Sequence, residues 1–319
     1  MYQDTGVGDR QGLPASAMSN QNNGTDLLKS IDDVPELNKE NVHIPNKEEL
    51  LYKLNKVIKD GHSKLQIVTD FDHTLTRHTM DNGKSVLTSF GMFRECPSIP
   101  QDYKDEEIRL ASIYKPIEVD PVMSIEEKTK HMIDWYQAAH KLLQGMKFPK
   151  QELLDIGYKM VECFRRGVQD LILWSQRQQV PVLVFSAGLG ESVLAALKAA
   201  DFLLPHVKVI SNFLAMDESD TIVGIKGEVI HTYNKNEAAI KDTEYFSLVR
   251  TRHNVLLMGD NIGDAGMAEG MDHCDVVLKI GFLGRNARPN LQNYLNKFDI
   301  VLVDEPTMDV PNAILKLVL

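Results

Sequence analysis

The chain has 319 residues, of which 43% are hydrophobic and 25% are charged. This length and apolar content allow one large α/β domain with an additional lobe, or two domains, around a sizeable core. The net charge is −10 and no block of Lys or Arg residues occurs, so we expect no polynucleotide partner, because such binding relies on a basic surface. This charge is compatible with a small phosphorylated substrate, since a bound cation and a few hydrogen-bond donors can outweigh the negative charge of the protein.

The three cysteines, Cys96, Cys163 and Cys274, are far apart in the sequence and form no CxxC pair. They predict neither a zinc ribbon nor a disulfide framework, and reduced thiols are typical of the cytosol. No segment approaches the roughly 18 consecutive apolar residues of a membrane span, and the first residues lack the pattern of a signal peptide. We therefore expect a cytoplasmic protein that does not bind a membrane.

The chain begins with a segment that we expect to be mostly disordered over residues 1–45. Residues 1–29 are rich in Asn, Gln, Ser, Gly and Asp, and this composition buries too little apolar surface to offset the entropy of ordering. Apolar residues then recur at helical spacing from about residue 47, and Gly61 predicts the end of this helix. The apolar run over 65–68 predicts the first strand.

The remaining elements predict an α/β fold with a doubly wound, mostly parallel sheet, because strands alternate with helices. After the first strand, the predicted strands cover 180–185, 207–210, 254–258, 275–278 and 299–303. The predicted helices between and after them include 191–200, 236–241, 265–271 and 312–317. We assign 46–82 and 170–319 to the α/β core. Residues 83–169 show helical patterns and no further strand, which predicts an inserted, largely helical lobe.

The lobe has one clearly delimited helix. Ser124 and Glu127 have the spacing of a capping box, and apolar residues recur at helical spacing after them. Just before this helix, Pro116 and Pro121 flank Glu118. We expect the two prolines to hold this segment extended, with Glu118 fixed in direction.

Two acidic pairs stand where apolar runs end. Asp70 and Asp72 follow the first strand, and Asp260 and Asp264 follow the run 254–258. Ligands bind at the carboxyl edge of an open α/β sheet, so the pairs suggest one site for a divalent cation and an oxyanion. One carboxylate can attack phosphorus, and a second can give a proton to the leaving oxygen. A single pair at this spacing is also compatible with a solvated turn.

A hydroxyl and a lysine complete this pattern. Ser186 follows a very apolar strand and precedes Ala187 and Gly188, where a hydroxyl and backbone N–H groups can hold phosphate oxygens. The other interpretation is an ordinary strand-to-helix turn with Ser186 as N-cap. Lys235 can neutralise the crowded negative charge, or it is simply solvated. A carboxylate-rich site without close His or Cys pairs favours Mg²⁺, which takes oxygen ligands.

Taken in order, these elements resemble the haloacid dehalogenase superfamily of phosphatases, whose pattern is DxDx[TV][LV], a Ser or Thr, a Lys and GDxxxD. The resemblance implies that Asp70 is the nucleophile forming an aspartyl-phosphate and that Asp72 is the general acid and then the general base. It implies that Ser186 and Lys235 bind phosphate. Mg²⁺ would be held by Asp70, the backbone carbonyl of Asp72 and Asp260, and Asp264 would orient these ligands. Gly188 would be a supporting residue beside Ser186.

The sequence is also similar to the cytosolic 5′-nucleotidase III family over 116–121, 185–188, 226–231 and 278–283. In that family Glu118 would contact the nucleobase, and Ser186 with Ala187 and Lys235 would hold the phosphate. The resemblance implies that the lobe of residues 83–169 recognises the base.

Two positions resemble the III-like branch, which hydrolyses 7-methylguanosine 5′-phosphate, more than the pyrimidine branch. The pyrimidine branch has Ser in place of Ala139 and His in place of Phe90. A cationic methylated purine gains from aromatic faces, so Phe90 and Trp135 are expected to sandwich the base while Glu118 accepts its hydrogen bonds. Simple packing of these rings in the lobe stays an alternative.

The leading hypothesis is an Mg²⁺-dependent 5′-nucleotidase for 7-methylguanosine 5′-monophosphate, with activity on CMP and weaker activity on UMP. The alternatives are a pyrimidine-specific 5′-nucleotidase with nucleoside phosphotransferase activity, and a nucleotide-binding protein without catalysis. The intact Asp70, Asp72, Lys235 and Asp260 favour an enzyme, because a binding protein needs no general acid. We expect a monomer whose partner is a small nucleoside monophosphate.

Overall fold

A seven-stranded sheet forms the centre of the computed structural model, which describes residues 27–120, 122–236, 243–271, 273–284 and 289–318. The strands are, in chain order, β1 Val42–His43, β2 Leu65–Thr69, β3 Val182–Leu189, β4 Val207–Asn212, β5 Leu214–Met216, β6 Ile222–Ile225, β7 Asn254–Gly259, β8 Val276–Leu283 and β9 Ile300–Val303. The order across the main sheet is β1-β9-β8-β7-β2-β3-β4. All neighbouring strands in it are parallel except β1, which pairs antiparallel with β9.

Helices cover both faces of this sheet. In chain order, the α-helices of the described residues are α1 Lys47–Asp60, α2 Ser89–Arg94, α3 Gln101–Glu118, α4 Ile125–Leu143, α5 Lys150–Lys159, α6 Val168–Arg177, α7 Gly190–Ala199, α8 Glu244–Val249, α9 Leu291–Leu295 and α10 Asp309–Leu317, of which α3 and α4 pack on each other. Alternate residues of one strand enter different apolar clusters, as Ile67 and Val68 do in β2, because successive side chains point to opposite faces. The doubly wound, mostly parallel α/β fold is therefore confirmed. Within the described residues, no helix combines the length and apolar character that crossing a bilayer requires.

Residues 27–45 differ from the expected disordered tail. Ser30 caps a short 3₁₀ helix, and strand β1 adds to the edge of the sheet. Ile31, Val34 and Leu37 are only 2–3% exposed and join the main core cluster. Their spacing places three apolar side chains on one face. Burial of this face stabilises a segment that we expected to be disordered. The rest of the expected tail, residues 1–26, lies outside the described residues.

The helices α2–α5 follow one another between β2 and β3, and no strand of the main sheet is formed by the described residues in between. The β5–β6 hairpin contacts the segment between α4 and α5 through two backbone hydrogen bonds. The Gly145 N–H donates to the Ile222 carbonyl, and the Phe148 N–H donates to the Asp220 carbonyl. The capping box of Ser124 starts α4 as predicted.

Two local expectations are wrong. The segment around Glu118 is not extended, because α3 continues through Pro116 and ends at Glu118. A proline in the last turn costs one backbone hydrogen bond but does not prevent the preceding turns from forming. The helix expected over 265–271 is instead a 3₁₀ helix over Ile262–Gly266 followed by turns. Of the helix expected over 236–241, only residue 236 is among the described residues.

Candidate functional site

Three of the predicted acidic residues meet at the carboxyl ends of β2 and β7. These ends lie side by side, since the Asp70 N–H donates to the Met258 carbonyl at 2.9 Å. Carboxylate oxygens of Asp70, Asp260 and Asp264 all lie within 4.8 Å of one another. A Cβ on Gly259 would stand 2.3 Å from the Asp264 Cβ, so only glycine permits this close approach.

Lys235 lies within this acidic cluster and is only 4% exposed. Its ammonium group forms ion pairs with Asp70 and, at 2.7 Å, with Asp264. Although burial acts to lower the pKa of Lys235, the two carboxylates raise it, so the lysine stays charged. Burial raises the pKa of Asp70, against the effect of Lys235. The lysine is therefore a fixed positive charge beside the expected nucleophile, and the solvated alternative does not hold.

Asp72 is held by a residue that the sequence did not single out. The Ser89 backbone N–H donates to Asp72 Oδ1 at 2.8 Å, and the Ser89 hydroxyl donates to Asp72 Oδ2 at 2.7 Å. Burial raises the pKa of the Asp72 carboxyl, although the bonds from Ser89 oppose this shift. A raised pKa suits a carboxyl group that must carry a proton before it gives one away. The first turn of α2 thus orients the candidate acid.

The predicted phosphate-binding residues lie on β3, which continues through Ser186 to Leu189. The Ser186 hydroxyl accepts a hydrogen bond from the Gly188 N–H at 3.0 Å. A Cβ on Gly188 would stand 1.8 Å from the Ser89 hydroxyl oxygen and 3.0 Å from Asp72 Oδ2. Glycine is therefore required where β3 passes the candidate acid.

Glu118 reaches the site from the end of α3. Its carboxylate accepts a hydrogen bond from the Thr232 hydroxyl at 2.5 Å, and its backbone carbonyl accepts one from the Tyr233 hydroxyl at 2.5 Å. Burial raises the pKa of the Glu118 carboxyl, the Thr232 bond lowers it, and Asp260 raises it. Thr232 and Tyr233 precede Lys235 in one loop, so this loop contacts both the acidic cluster and α3.

Aromatic rings line the neighbouring part of the lobe. Tyr136 packs edge-on against Phe90 and against Trp135, with ring centroids 6.2 Å and 5.9 Å apart. Tyr114 stacks on Trp135 at 5.7 Å with an interplanar angle of 10°. One face of Trp135 is therefore covered by Tyr114, and Trp135 also lines the cavity described below. The proposed sandwich of a base between Phe90 and Trp135 stays a prediction.

A single cavity of about 970 Å³ brings these groups together. All predicted site residues line it: Asp70, Asp72, Phe90, Glu118, Trp135, Ser186, Ala187, Gly188, Lys235, Asp260 and Asp264. Asp70, Asp260 and Asp264 follow the ends of β2 and β7, Lys235 lies in the loop after β6, and the aromatic rings belong to the lobe helices α2 and α4. The cavity can therefore hold a ligand with an anionic group and a planar ring.

Sequence reasoning missed four residues that hold this site: Ser89, Thr232, Tyr233 and His78. His78 Nε2 lies 3.7 Å from Asp260 Oδ2, and its ring stacks on that of His73 at 4.6 Å. Each of the four acts through a partner distant in the chain, so no local spacing signals it. Thr88, just before Ser89, is typical of a helix N-cap. This signal does not indicate that the helix binds the Asp72 carboxylate.

The acidic cluster fits a hard divalent cation. Asp70, Asp72, Asp260 and Asp264 bring four carboxyl groups to one end of the cavity, where Lys235 is the cation that contacts two of them. The donors that converge are all oxygens, which Mg²⁺ prefers. Negative charge thus exceeds positive charge at the site, and a cation would balance it.

Comparisons with known proteins show the family to which this chain belongs. A family model described as pyrimidine 5′-nucleotidase (UMPH-1) matches residues 73–319. The 7-methylguanosine phosphate-specific 5′-nucleotidase of Drosophila melanogaster is 40% identical over 289 residues, which cover 90% of each protein. The Homo sapiens protein of that name is 33% identical over 261 residues, covering 82% of this chain and 87% of the relative. The crystal structure of cytosolic 5′-nucleotidase IIIB bound to cytidine has a TM-score of 0.86 and 40% identity, covering 91% of this chain and 97% of that one.

Proposed function

Because this chain belongs to the pyrimidine 5′-nucleotidase (UMPH-1) family, we propose that it hydrolyses 7-methylguanosine 5′-monophosphate, CMP and, more weakly, UMP to the nucleoside and phosphate. Family membership confirms the expected resemblance and the haloacid dehalogenase-like fold. The chain is a 5′-nucleotidase and thus a phosphoric monoester hydrolase. The names of the relatives support the methylated purine, and the cytidine in the related structure supports a pyrimidine as well.

The first chemical step transfers the phosphoryl group to Asp70. An Asp70 carboxylate oxygen forms a bond to phosphorus, the bond from phosphorus to the 5′-oxygen breaks, and Asp72 gives its proton to that oxygen. Lys235 balances the negative charge of Asp70 and the phosphate, and Ser186 and Ala187 bind the phosphate oxygens. The hydrogen bonds from Ser89 support this role of Asp72, since they hold its carboxyl in one orientation.

The second step returns Asp70 to its free state. Asp72 takes a proton from a water molecule, the water oxygen bonds to phosphorus, and the bond to Asp70 breaks with release of phosphate. Asp70, the backbone carbonyl of Asp72 and Asp260 would hold Mg²⁺, and Asp264 would support them. Bound Mg²⁺ supplies charge shielding between the carboxylate and the phosphate.

Residues 83–169 form a lobe that recognises the base in this proposal, and 46–82 with 170–319 form the catalytic core. Glu118 accepts hydrogen bonds from the donor edge of the base, and Phe90 and Trp135 contact its ring. A positively charged methylated purine gains from both a carboxylate and aromatic faces. The β5–β6 hairpin supports the lobe through its backbone contacts near Gly145. We further propose that the enzyme is a monomer and that it is cytoplasmic; the name of the related cytosolic 5′-nucleotidase IIIB supports the location.

The observation that carries this proposal is the one cavity in which the acidic cluster, Lys235, Glu118 and the aromatic rings converge. The test measures phosphate release from 7-methyl-GMP, GMP, CMP and UMP, with Mg²⁺ and with EDTA. We expect activity only with Mg²⁺, a higher kcat/KM for 7-methyl-GMP than for GMP, and loss of activity in Asp70→Asn. Equal kcat/KM for the two purines would refute the specificity, and an active Asp70→Asn would refute the mechanism.

A pyrimidine-specific nucleotidase with phosphotransferase activity is the second candidate. The description of the family model and the cytidine in the related structure favour it. Phe90→His and Ala139→Ser would place the residues of the pyrimidine branch in this cavity, and both positions line it. We expect this double variant to lower the kcat/KM ratio of 7-methyl-GMP to CMP. A ratio below one in the unchanged protein would favour the second candidate.

A further inference from the structure

We propose that Thr232 is a positioning residue for base specificity, because it holds the Glu118 carboxylate in one orientation from the phosphate-binding side of the cavity. The inference rests on the proposed role of Glu118. The contact joins two parts of the chain: Glu118 ends helix α3 of the lobe, and Thr232 lies in the loop that leads to Lys235. The Thr232 hydroxyl donates to Glu118 Oε1 at 2.5 Å.

Thr232 is itself held rigidly by the core. It is 6% exposed, and a Cβ on Gly263 would stand 2.6 Å from its carbonyl oxygen and 2.7 Å from its methyl carbon. Thr232 therefore packs directly against the loop that contains Asp260 and Asp264. Just before it, Ile230 exchanges two hydrogen bonds with the Asn212 side chain, at 2.7 and 2.8 Å. The hydroxyl thus comes from a fixed backbone.

The next residue makes a second contact with the same target. The Tyr233 hydroxyl donates to the Glu118 backbone carbonyl at 2.5 Å. The Lys128 ammonium group on α4 lies over the Tyr233 ring, 5.6 Å from its centroid. Thr232 fixes the carboxylate and Tyr233 fixes the backbone that carries it. Hydrogen bonds from the loop that contains Lys235 therefore hold both the Glu118 side chain and the end of α3.

This arrangement has a chemical consequence. A carboxylate offers about four lone-pair sites in one plane, and the donors on the edge of a nucleobase must meet that plane. With Oε1 bonded to Thr232, the plane is set before the ligand enters. Without that bond the carboxylate can rotate, and a nucleotide must then order it on binding. Thr232 therefore contributes to the recognition of a base with hydrogen-bond donors, and a phosphate ester without a base gains nothing from it.

The experiment compares a nucleotide with p-nitrophenyl phosphate, which has no nucleobase donor edge. In Thr232→Val a methyl group replaces the hydroxyl at nearly equal volume. We expect the ratio of kcat/KM for 7-methyl-GMP to kcat/KM for p-nitrophenyl phosphate to fall about 10- to 100-fold, mainly through KM for the nucleotide. Thr232→Ser keeps a hydroxyl and is expected to restore the ratio to within about threefold of the unchanged protein.

Matched variants separate the possible results. Thr251 is exposed and lies outside the cavity, so Thr251→Val controls for the substitution itself. In the double variant with Glu118→Gln, we expect Thr232→Val to add little, because both changes disrupt one interaction. Tyr233→Phe keeps the ring and removes the second bond, and it serves as the test if Thr232→Val does not fold. We expect it to lower the same ratio.

Failure of this inference differs from failure of the proposed function. If Glu118→Gln leaves the ratio unchanged, Glu118 does not recognise the base, so that part of the proposed function is wrong and this inference fails with it. If Glu118→Gln lowers the ratio but Thr232→Val and Tyr233→Phe do not, only the positioning role is wrong. Equal losses for both substrates in Thr232→Val would also overturn it, because they would show that the loop serves Lys235 alone.

Discussion

Replacing Ser89 with alanine tests whether the first turn of α2 orients the candidate acid. Ser89 makes two hydrogen bonds to Asp72, one from its backbone at 2.8 Å and one from its hydroxyl at 2.7 Å. Of these two bonds to Asp72, Ser89→Ala removes only the one from the hydroxyl. A hydrogen bond to a charged group contributes about 1.5–3 kcal/mol. If this contribution is made in the transition state, its loss lowers kcat/KM by roughly 10- to 150-fold.

The same substitution has a cost in stability. The Ser89 hydroxyl oxygen also accepts a hydrogen bond from the Leu189 N–H at 3.2 Å. A buried N–H left without an acceptor costs about 1–3 kcal/mol. We therefore expect Tm to fall by about 1–2 °C for each kcal/mol lost, because the unfolding entropy of a chain of 319 residues is large. We expect the variant to stay folded, so activity and stability can be measured separately.

The assay is the pH dependence of kcat/KM for 7-methyl-GMP, with Ser112→Ala on the exposed side of α3 as the control. The bonds from Ser89 lower the pKa of Asp72, which burial raises. Without the hydroxyl, Asp72 keeps its proton to higher pH, so the alkaline limb should move to higher pH. An unchanged kcat/KM and an unmoved alkaline limb would refute the role of Ser89.

Three further predictions follow from buried groups. Arg165→Met leaves Glu305 without the guanidinium that lies 3.2 Å away, so unfolding in urea should show a loss of about 3–5 kcal/mol; a loss below about 1 kcal/mol would contradict this. Burial lowers the pKa of His140 to about 4 from its ordinary 6.5. As the pH falls, the unfolded state therefore binds the proton before the folded state does. The free energy of unfolding decreases between about pH 6.5 and about pH 4, by up to about 3 kcal/mol. His140→Leu should reduce the difference in unfolding free energy between about pH 7.5 and about pH 4.5, and an unchanged difference would assign the loss to other groups. Gly188→Ala places a Cβ 1.8 Å from the Ser89 hydroxyl oxygen, and we expect kcat to fall about 100-fold with far-UV circular dichroism unchanged; retained activity would mean that β3 can move aside.

The sequence predicted the α/β core through patterns that lie within single segments. Apolar runs indicated β2, β3, β4, β7 and β8, and the alternation with helices indicated a parallel sheet. Because the carboxyl ends of parallel strands meet at one edge, residues that follow different strands could be expected at one site. The structure places Asp70, Lys235, Asp260 and Asp264 together there, although their spacing in the chain is large.

Composition misled where burial depends on a distant partner. The polar composition of residues 1–29 suggested a disordered tail that we extended to residue 45, yet Ile31, Val34 and Leu37 pack into the main core. Pro116 suggested an extended segment, yet α3 includes it in its last turn. A local signal gives the preference of a segment in isolation, and tertiary contacts can outweigh that preference by a few kcal/mol.

The sequence by itself determined six strands of the main sheet and the carboxylates that follow two of them, because backbone periodicity is a property of short segments. Only the tertiary structure decided that Ser89 holds Asp72 and that Thr232 holds Glu118. Each of these bonds joins residues from different segments, and the match of donor to acceptor depends on how helices of the lobe pack over the sheet. No spacing along the chain encodes that packing, so these contacts appear only when the chain is folded.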